Sequence, residues 1–414
     1  LKAKAAPGFH WLISAQFVSA LADNALLLLT MAVLMEQGHA AFWIPLLKLM
    51  FTLSYVVLGP WVGAWADTWP KQRVMMWANA VKAVACSALL MGCSPLLAFA
   101  MAGLGAAIYA PAKYGLITEL EPPERLVAAN GWIEVSTVCA ALFGVMLGGL
   151  LVADHWLVSG PYQVLQTVLP QTSLYVGSML VLLLLYVASA LLNLRIPDSG
   201  VRYAASSWHV KAVWLRFKSD HLTLWRDPLG GISLSVTTLF WGVGATLQLL
   251  VLAWAQDTLS LNLTQAAYLQ GATAVGVVCG AVLAARLIAL NRAPTVIAMG
   301  MVLGLMLPLM SVVSAWQIAI VLIFAIGVVG GFFVVPMNAM LQHRGVQLLS
   351  AGRSISVQNV NENTNILFMM GIYSALLYAQ VDVSTLSWLL GGLVTFGMAW
   401  VRWRYQRIAR HQAP

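Results

Sequence analysis

Charge is what this sequence has least of. Of its 414 residues, 22 are Lys or Arg and 14 are Asp or Glu, only 9% of the chain, where a soluble protein carries about 25%. With 61% of residues hydrophobic, too few polar side chains remain to cover a water-facing surface. That excludes a soluble enzyme and a disordered chain. Cysteine is also scarce: Cys86, Cys93, Cys139 and Cys279 all fall inside apolar runs, which excludes a disulfide scaffold and reads as small core residues rather than a metal or redox site. The seven histidines form no His-Glu-x-x-His pair and no His-x4-Asp acyltransferase pattern, so no catalytic residue, metal or cofactor is assigned and an enzyme is not expected. The net charge of +8 comes without a basic, aromatic-interleaved stripe on a soluble module, so nucleic acid is not an expected partner. A cleavable signal pattern is absent, and the first apolar run is expected to be retained.

What the chain does have is long apolar runs, each about 20 residues, enough to cross a bilayer as helix. Twelve candidate spans occupy roughly 9–35, 41–66, 73–93, 95–118, 127–153, 173–194, 229–255, 264–289, 295–313, 316–341, 354–379 and 384–403. The fold expected is an all-α membrane protein of twelve transmembrane helices in two six-helix halves. Connections are expected to be short except one. The chain thus divides into residues 1–194, a basic linker at 195–228, and a second half with a basic tail at 229–414.

All but three of the 22 basic residues lie at the N-terminus (Lys2, Lys4), in even-numbered connections or in the tail; Lys48, Lys82 and Lys113 sit inside spans. The odd-numbered connections carry none. The positive-inside rule then places both termini in the cytoplasm. In the linker, Val210, Val213, Trp214, Phe217, Leu224 and Trp225 recur at helical spacing with Lys211 and Lys218 off that face. This predicts an amphipathic helix, lying on cytoplasmic headgroups or simply joining the halves.

The halves echo one another. Gly105-Ala-Ala-Ile-Tyr-Ala-Pro111-Ala-Lys113 aligns with Gly330-Gly-Phe-Phe-Val-Val-Pro336-Met-Asn338, and Glu134 early in the fifth span matches Glu362 early in the eleventh. Matching halves of this kind place a central site between repeats in major-facilitator transporters.

Ionisable groups inside a bilayer are costly, so each is a functional candidate. Asp23, beside Asn24, lies about 20 Å into the first span at 1.5 Å per residue. Lys113 follows Pro111, and Glu134 comes one turn after Asn130. In the eleventh span Gln358, Asn361, Glu362 and Asn365 share a face. Buried pairs of Asp23 or Glu134 with Lys113 would lock helices together. A polar-lined cavity offering both signs of charge would instead suit a zwitterionic or anionic headgroup, with carboxylates on an amine and Lys113 on a phosphate. Lys82 reads as a residue that snorkels to the interface, and Lys48 is ambiguous. The glycine-rich stretches 144–149 and 271–280 read as close helix packing.

Between the second and third spans, Gly63-Ala-Trp-Ala-Asp67-Thr-Trp-Pro-Lys71-Gln-Arg73 resembles the major-facilitator signature loop G-x-x-x-D-(R/K)-x-G-(R/K)-x-(R/K). Gly63, Asp67, Lys71 and Arg73 are the candidate gating residues. Thr68 and Pro70 depart from the pattern, and the equivalent in the second half, Gly280 to Ala284, lacks the acid.

Longer motifs run the length of the chain: Ala15-Gln-Phe with Asp23-Asn-Ala-Leu, Pro111-Ala-Lys-Tyr-Gly115, Ala129-Asn-Gly131 with Glu134-x-Ser-Thr137, Phe240-Trp-Gly242, Gly330 to Ala339, and Val357-Gln-Asn with Glu362-Asn363. In these the sequence resembles the bacterial lysophospholipid transporter family. The resemblance implies a flippase that brings lysophospholipids such as lysophosphatidylethanolamine to the cytoplasmic leaflet. There an acyltransferase–acyl-carrier-protein synthetase reacylates them. It implies alternating access with lateral lipid entry, membrane lipids as neighbours, and a monomer. Gln248 stands where a relative carries arginine, so a cationic contact from the seventh span is expected to be missing. The rival readings are a drug or solute exporter of the same fold and a non-transporting receptor; the latter leaves the buried charges unexplained.

Overall fold

The computed structural model describes residues 7–39, 43–168, 172–203, 209–261 and 263–412. Lys2 and Lys4, read above as part of the basic N-terminus, lie outside them. The described residues form helices and connections, in the order α1 (Phe9–Glu36), α2 (Trp43–Thr68), α3 (Lys71–Leu90), α4 (Pro95–Leu120), α5 (Leu126–Val152), α6 (Asp154–Leu157), α7 (Gly160–Val168), α8 (Val176–Asn193), α9 (Val210–Arg226), α10 (Pro228–Asp257), α11 (Leu263–Leu287), α12 (Ile297–Met306), α13 (Trp316–Leu348), α14 (Ala351–Tyr378) and α15 (Val383–Gln412).

Eleven helical stretches among the described residues are long and apolar enough to cross a membrane; the ninth combines α12 with the 3-10 turns on either side of it. The twelfth expected span is α14. It has the length, 28 residues, but the polar string from Gln358 to Asn365 lowers its hydropathy. One expectation fails: the connection between the fifth and sixth spans is not short, because residues after Val152 form the small helices α6 and α7 before α8 begins. Alternating polar and apolar residues there carry no span-like signal.

Packing sorts the helices into two units. The first comprises Leu1–Leu120, Cys139–Leu215 and Ser350–Asn359; the second comprises Glu121–Val138, Arg216–Leu349 and Val360–Pro414. Helices α5, α9 and α14 each contribute to both.

In the first unit, a core of Leu26, Leu29, Leu47, Leu89, Phe99, Met179 and Leu182 is sealed from solvent. Glycines bring the backbones close: Gly103 lies on the Phe51 backbone, and Gly144 faces the Leu21 carbonyl and Asn24. In the second unit, Leu250, Trp254, Leu303, Ile323, Phe333 and Met398 are core residues. Its tightest seam joins α11 and α13, where Gly276 and Gly280 face Gly327 and Gly331. A methyl group on any of the four would overlap a carbonyl of the opposite helix. The expected close packing of 271–280 is therefore found, with its partner glycines on α13.

Helix α9 forms where the linker pattern predicts it, but its apolar residues are not one buried stripe. Val213 and Leu224 are buried, Phe217 and Trp225 half-buried, and Val210 and Trp214 exposed. In the first unit Trp214 meets Trp61 edge-on, with ring centroids 6.0 Å apart. In the second, the Trp225 indole N–H donates to Asn361 Oδ1 at 3.2 Å. Asp227 then caps α10 by accepting from the Gly230 N–H at 2.8 Å and holds Arg344 through two bonds of 2.8 and 2.9 Å. Burial pushes this carboxyl up, but the Arg344 and Gly230 bonds outweigh it and hold Asp227 below the usual carboxylate range. A depressed carboxylate stabilises the fold above its unfolded pKa, and that contribution is lost only as pH falls through the lower folded value.

The α11–α13 seam makes a direct prediction. Gly280→Leu forces the two backbones apart and costs about 1–3 kcal/mol, seen as a lower unfolding temperature of the purified protein in detergent. Gly244→Ala, inside α10 at a position with open space around it, does not lower that temperature, since alanine is the better helix former.

Candidate functional site

Within the first unit, three helices each turn a pair of polar side chains inward. Ser19 and Asp23 are one turn apart on α1, Asn79 and Lys82 on α3, and Tyr186 and Ser189 on α8, so each pair shares a helix face. The Lys82 ammonium sits 2.6 Å from Asp23 Oδ2 and donates to Ser19 Oγ at 3.0 Å. The Tyr186 hydroxyl donates to Asp23 Oδ1 at 2.9 Å. The chain continues from Ser19 Oγ to Asn79 Oδ1 at 2.7 Å, from Asn79 Nδ2 to Ser189 Oγ at 2.9 Å, and from Ser189 to the Ala15 carbonyl at 2.8 Å. The ammonium also lies 5.3 and 5.9 Å from the ring centroids of Tyr109 and Tyr186. The Lys82 side chain is 2% exposed and that of Asp23 16%.

This corrects two readings. Lys82 does not snorkel to an interface; it is the buried partner of Asp23. Nor does Asp23 pair with Lys113, which instead lies over the Tyr114 ring at 4.1 Å and is half-buried. Separation along single helices gave depth but not azimuth, and azimuth chose the partner. The signal that would have found Lys82 is the polar pair at helical spacing on each of the three helices.

The second cluster of the first unit gathers the signature loop. Asp67, only 4% exposed, accepts from the backbone N–H groups of Gly352 at 2.8 Å and Arg353 at 3.2 Å, and from the Ser350 hydroxyl. It thereby caps the start of α14, where unpaired N–H groups and the helix dipole favour an anion. Gly63, one turn earlier on α2, gives α14 room: a methyl there would meet Ser356 Cβ at 2.8 Å and the Arg353 backbone at 3.0 Å. Lys71 lies 3.5 Å from Asp67 and 2.7 Å from Glu119 on α4, with the Tyr203 ring 4.8 Å from its ammonium. The structure brings Gly63, Asp67 and Lys71 together. Arg73 is exposed and stands apart. Thr68, a departure from the signature, bonds to its own helix at the Ala64 carbonyl, 2.7 Å away, and leaves the Asp67 cap intact.

The sequence pattern of the Major Facilitator Superfamily matches residues 12–363. The chain is 36% identical over 402 residues to the lysophospholipid transporter LplT of Citrobacter koseri, covering 97% of this chain and 96% of that one. It is 38% identical over 364 residues to the lysophospholipid transporter LplT of Yersinia pestis, covering 87% and 85%. The chain belongs to the lysophospholipid transporter family of the Major Facilitator Superfamily. Solved structures share the fold. A bacterial homologue of the iron transporter ferroportin superposes with a TM-score of 0.72 at 17% identity, covering 97% of this chain and 99% of that one. The Escherichia coli fucose:proton symporter FucP superposes with a TM-score of 0.71 at 14% identity, covering 96% and 98%.

The other candidate residues divide by what already holds them. Asn24 donates to the Ala20 carbonyl of its own helix at 2.8 Å. In the second unit, Asn130 and Gln342 form a reciprocal amide pair, both bonds 2.8 Å, with Asn130 also bonded to the Leu126 carbonyl. Asn361 receives the Trp225 indole and lies 3.4 Å from His221 Nδ1. Asn130 and Asn361 are therefore occupied by packing in this structure, one between α5 and α13 and the other between α14 and α9. Glu134, Gln358 and Glu362 are buried at 6%, 6% and 7% exposure. Asn365, on the same α14 face, donates to the Thr238 carbonyl at 2.8 Å. Gln248 is exposed and bonds Gln270 at 3.3 Å.

The α14 cap is testable by stability. Asp67→Ala removes the carboxylate that accepts from Ser350, Gly352 and Arg353 and costs about 0.5–2 kcal/mol, read as a lower unfolding temperature. Asp67→Asn, which keeps one acceptor oxygen, loses less.

Proposed function

We propose that this protein is a lysophospholipid flippase, moving lysophospholipids such as lysophosphatidylethanolamine to the cytoplasmic leaflet of a bacterial inner membrane. The observation that carries this reading is the likeness to curated lysophospholipid transporters over 97% of the chain, and the buried charges fit it. A lysophospholipid has one acyl chain and a charged head. Its head needs a polar path through the bilayer and its tail needs an apolar way in from the side.

In this reading Asp23, Glu134 and Glu362 are the carboxylates of the head's path, Lys113 is one of its cations, and Gln358 adds an uncharged bond. Residues 1–194 and 229–414 are halves that rock about the 195–228 linker, exposing the path to each leaflet in turn. The Gly63–Asp67–Lys71 cluster holds one end of that motion, because α14 gains its cap only when seated on α2. Basic residues of the even-numbered connections and tail face the cytoplasm, with both termini. A monomer suffices, and an acyltransferase–acyl-carrier-protein synthetase is the fitting consumer of the delivered lipid.

The test is flux of labelled lysophosphatidylethanolamine into vesicles holding the purified protein, beside protein-free vesicles and an Asp23→Asn variant checked as a single species by size exclusion. Flux is expected from the wild type alone. Wild-type vesicles no faster than protein-free ones would sink the reading and favour a solute exporter. Undiminished flux in Asp23→Asn would remove Asp23 from the path.

A further inference from the structure

We propose that Lys82 is the residue that binds the phosphate of the lipid head, and that it does so by exchanging its bond to Asp23 for one to the substrate. This rests on the flippase reading above. The geometry that carries it is a buried pair built to open. The Lys82 ammonium is 2.6 Å from Asp23 Oδ2, and it also meets a neutral hydroxyl, Ser19 at 3.0 Å, and the rings of Tyr109 and Tyr186. Among the described residues no backbone group fixes it. Its stem runs beside Gly105 of α4, where a methyl group would come within 2.6 Å of Lys82 Cγ. The bare backbone of α4 at Gly105 thus leaves room for the lysine stem. Asp23 keeps 16% exposure while Lys82 has 2%, so an incoming group meets the carboxylate first and the ammonium behind it.

Charge balance makes the exchange feasible. Opening a buried ion pair leaves two uncompensated charges, which is prohibitive in a low-dielectric interior. A zwitterionic head brings one charge of each sign. Its ammonium replaces Lys82 on Asp23, and the released Lys82 takes the phosphate oxygens. Two ion pairs then stand where one stood, and no charge is left alone. A buried pair kept only for stability would be matched or bettered by apolar side chains; a pair kept for exchange has to remain charged.

The experiment compares two inhibitors of lysophosphatidylethanolamine flux in vesicles: unlabelled lysophosphatidylethanolamine and its phosphate-methylated triester, which keeps the ammonium but has no phosphate charge. The proteins are the wild type, Lys82→Met, and the double variant Asp23→Asn/Lys82→Met, with folding followed by unfolding temperature. Wild-type protein should prefer the diester about 10- to 100-fold, the worth of a hydrogen bond to a charged group. Lys82→Met should bring that ratio near unity, read as protection against thermal unfolding where its flux is too low. The double variant removes both charges together, so it should fold and still fail to transport.

Wild-type flux with no preference for the diester would overturn the proposal. So would a double variant that transports like wild type, because the pair would then serve structure alone. A double variant that does not fold also assigns the pair to structure and overturns it. Absence of wild-type flux is a different outcome, which rejects the flippase reading itself.

Discussion

A charge inside a bundle of apolar helices must be answered by a partner in the same interior, and the organisation of the first unit follows from that requirement. Its two buried lysines each lie within reach of a carboxylate: Lys82 with Asp23, and Lys71 with Glu119 and Asp67. Both lysines sit on α3, about three turns apart, and α4 runs beside them with a glycine at each level. Gly105 admits the Lys82 stem, and Gly115 admits the end of Lys71, whose Cε would be 2.7 Å from a methyl there. Two features that look unrelated along the chain, isolated lysines on one helix and glycines on the next, are one packing solution. A side chain on either glycine would move a charge.

The second unit also buries charge, at Glu121, Glu134, Asp220, Asp227 and Glu362. Its closest helix seam is made of glycines, and its buried polar contacts are largely amides: Asn130 on Gln342, Asn365 on a carbonyl, Asn361 on an indole. Amides satisfy each other without the desolvation cost of an ion pair. Two of its buried carboxylates face arginines: Asp227 holds Arg344 where α9 joins α10, and Glu121 lies 3.0 Å from Arg125.

Much of this was legible in the sequence. Span positions follow from apolar runs, and α14 was marked as unusual by its own polar string. The Gly63–Asp67–Lys71 cluster announced itself through spacing, since a loop between two helices keeps its residues near one another. Asp23 and Lys82 could each be placed in depth, but a helix read alone does not say which neighbour its face meets. Lys113, a charge of the right sign inside another span, is an equally plausible partner for Asp23 along the sequence. The contact of Asn361 with α9 was hidden for a related reason: its face on α14 is polar, and polarity does not distinguish a side chain that lines a path from one that docks a neighbouring helix. The small helices α6 and α7 left no apolar run to read.

Asp23 and Asp67 show how the same side chain is set to different tasks by what answers it. Asp67 spends its oxygens on backbone N–H groups of α14, whose positions are fixed by the helix they begin. Releasing that carboxylate means moving the helix. Asp23 is answered by the ends of two side chains, a lysine and a tyrosine, which rotate without disturbing any backbone. Releasing it means turning a few torsions, provided another cation is present to take the place of the first. A carboxylate held by backbone reports and resists movement between helices. A carboxylate held by side chains can change partners while the helices stay where they are, and a path for a charged head needs at least one of that kind.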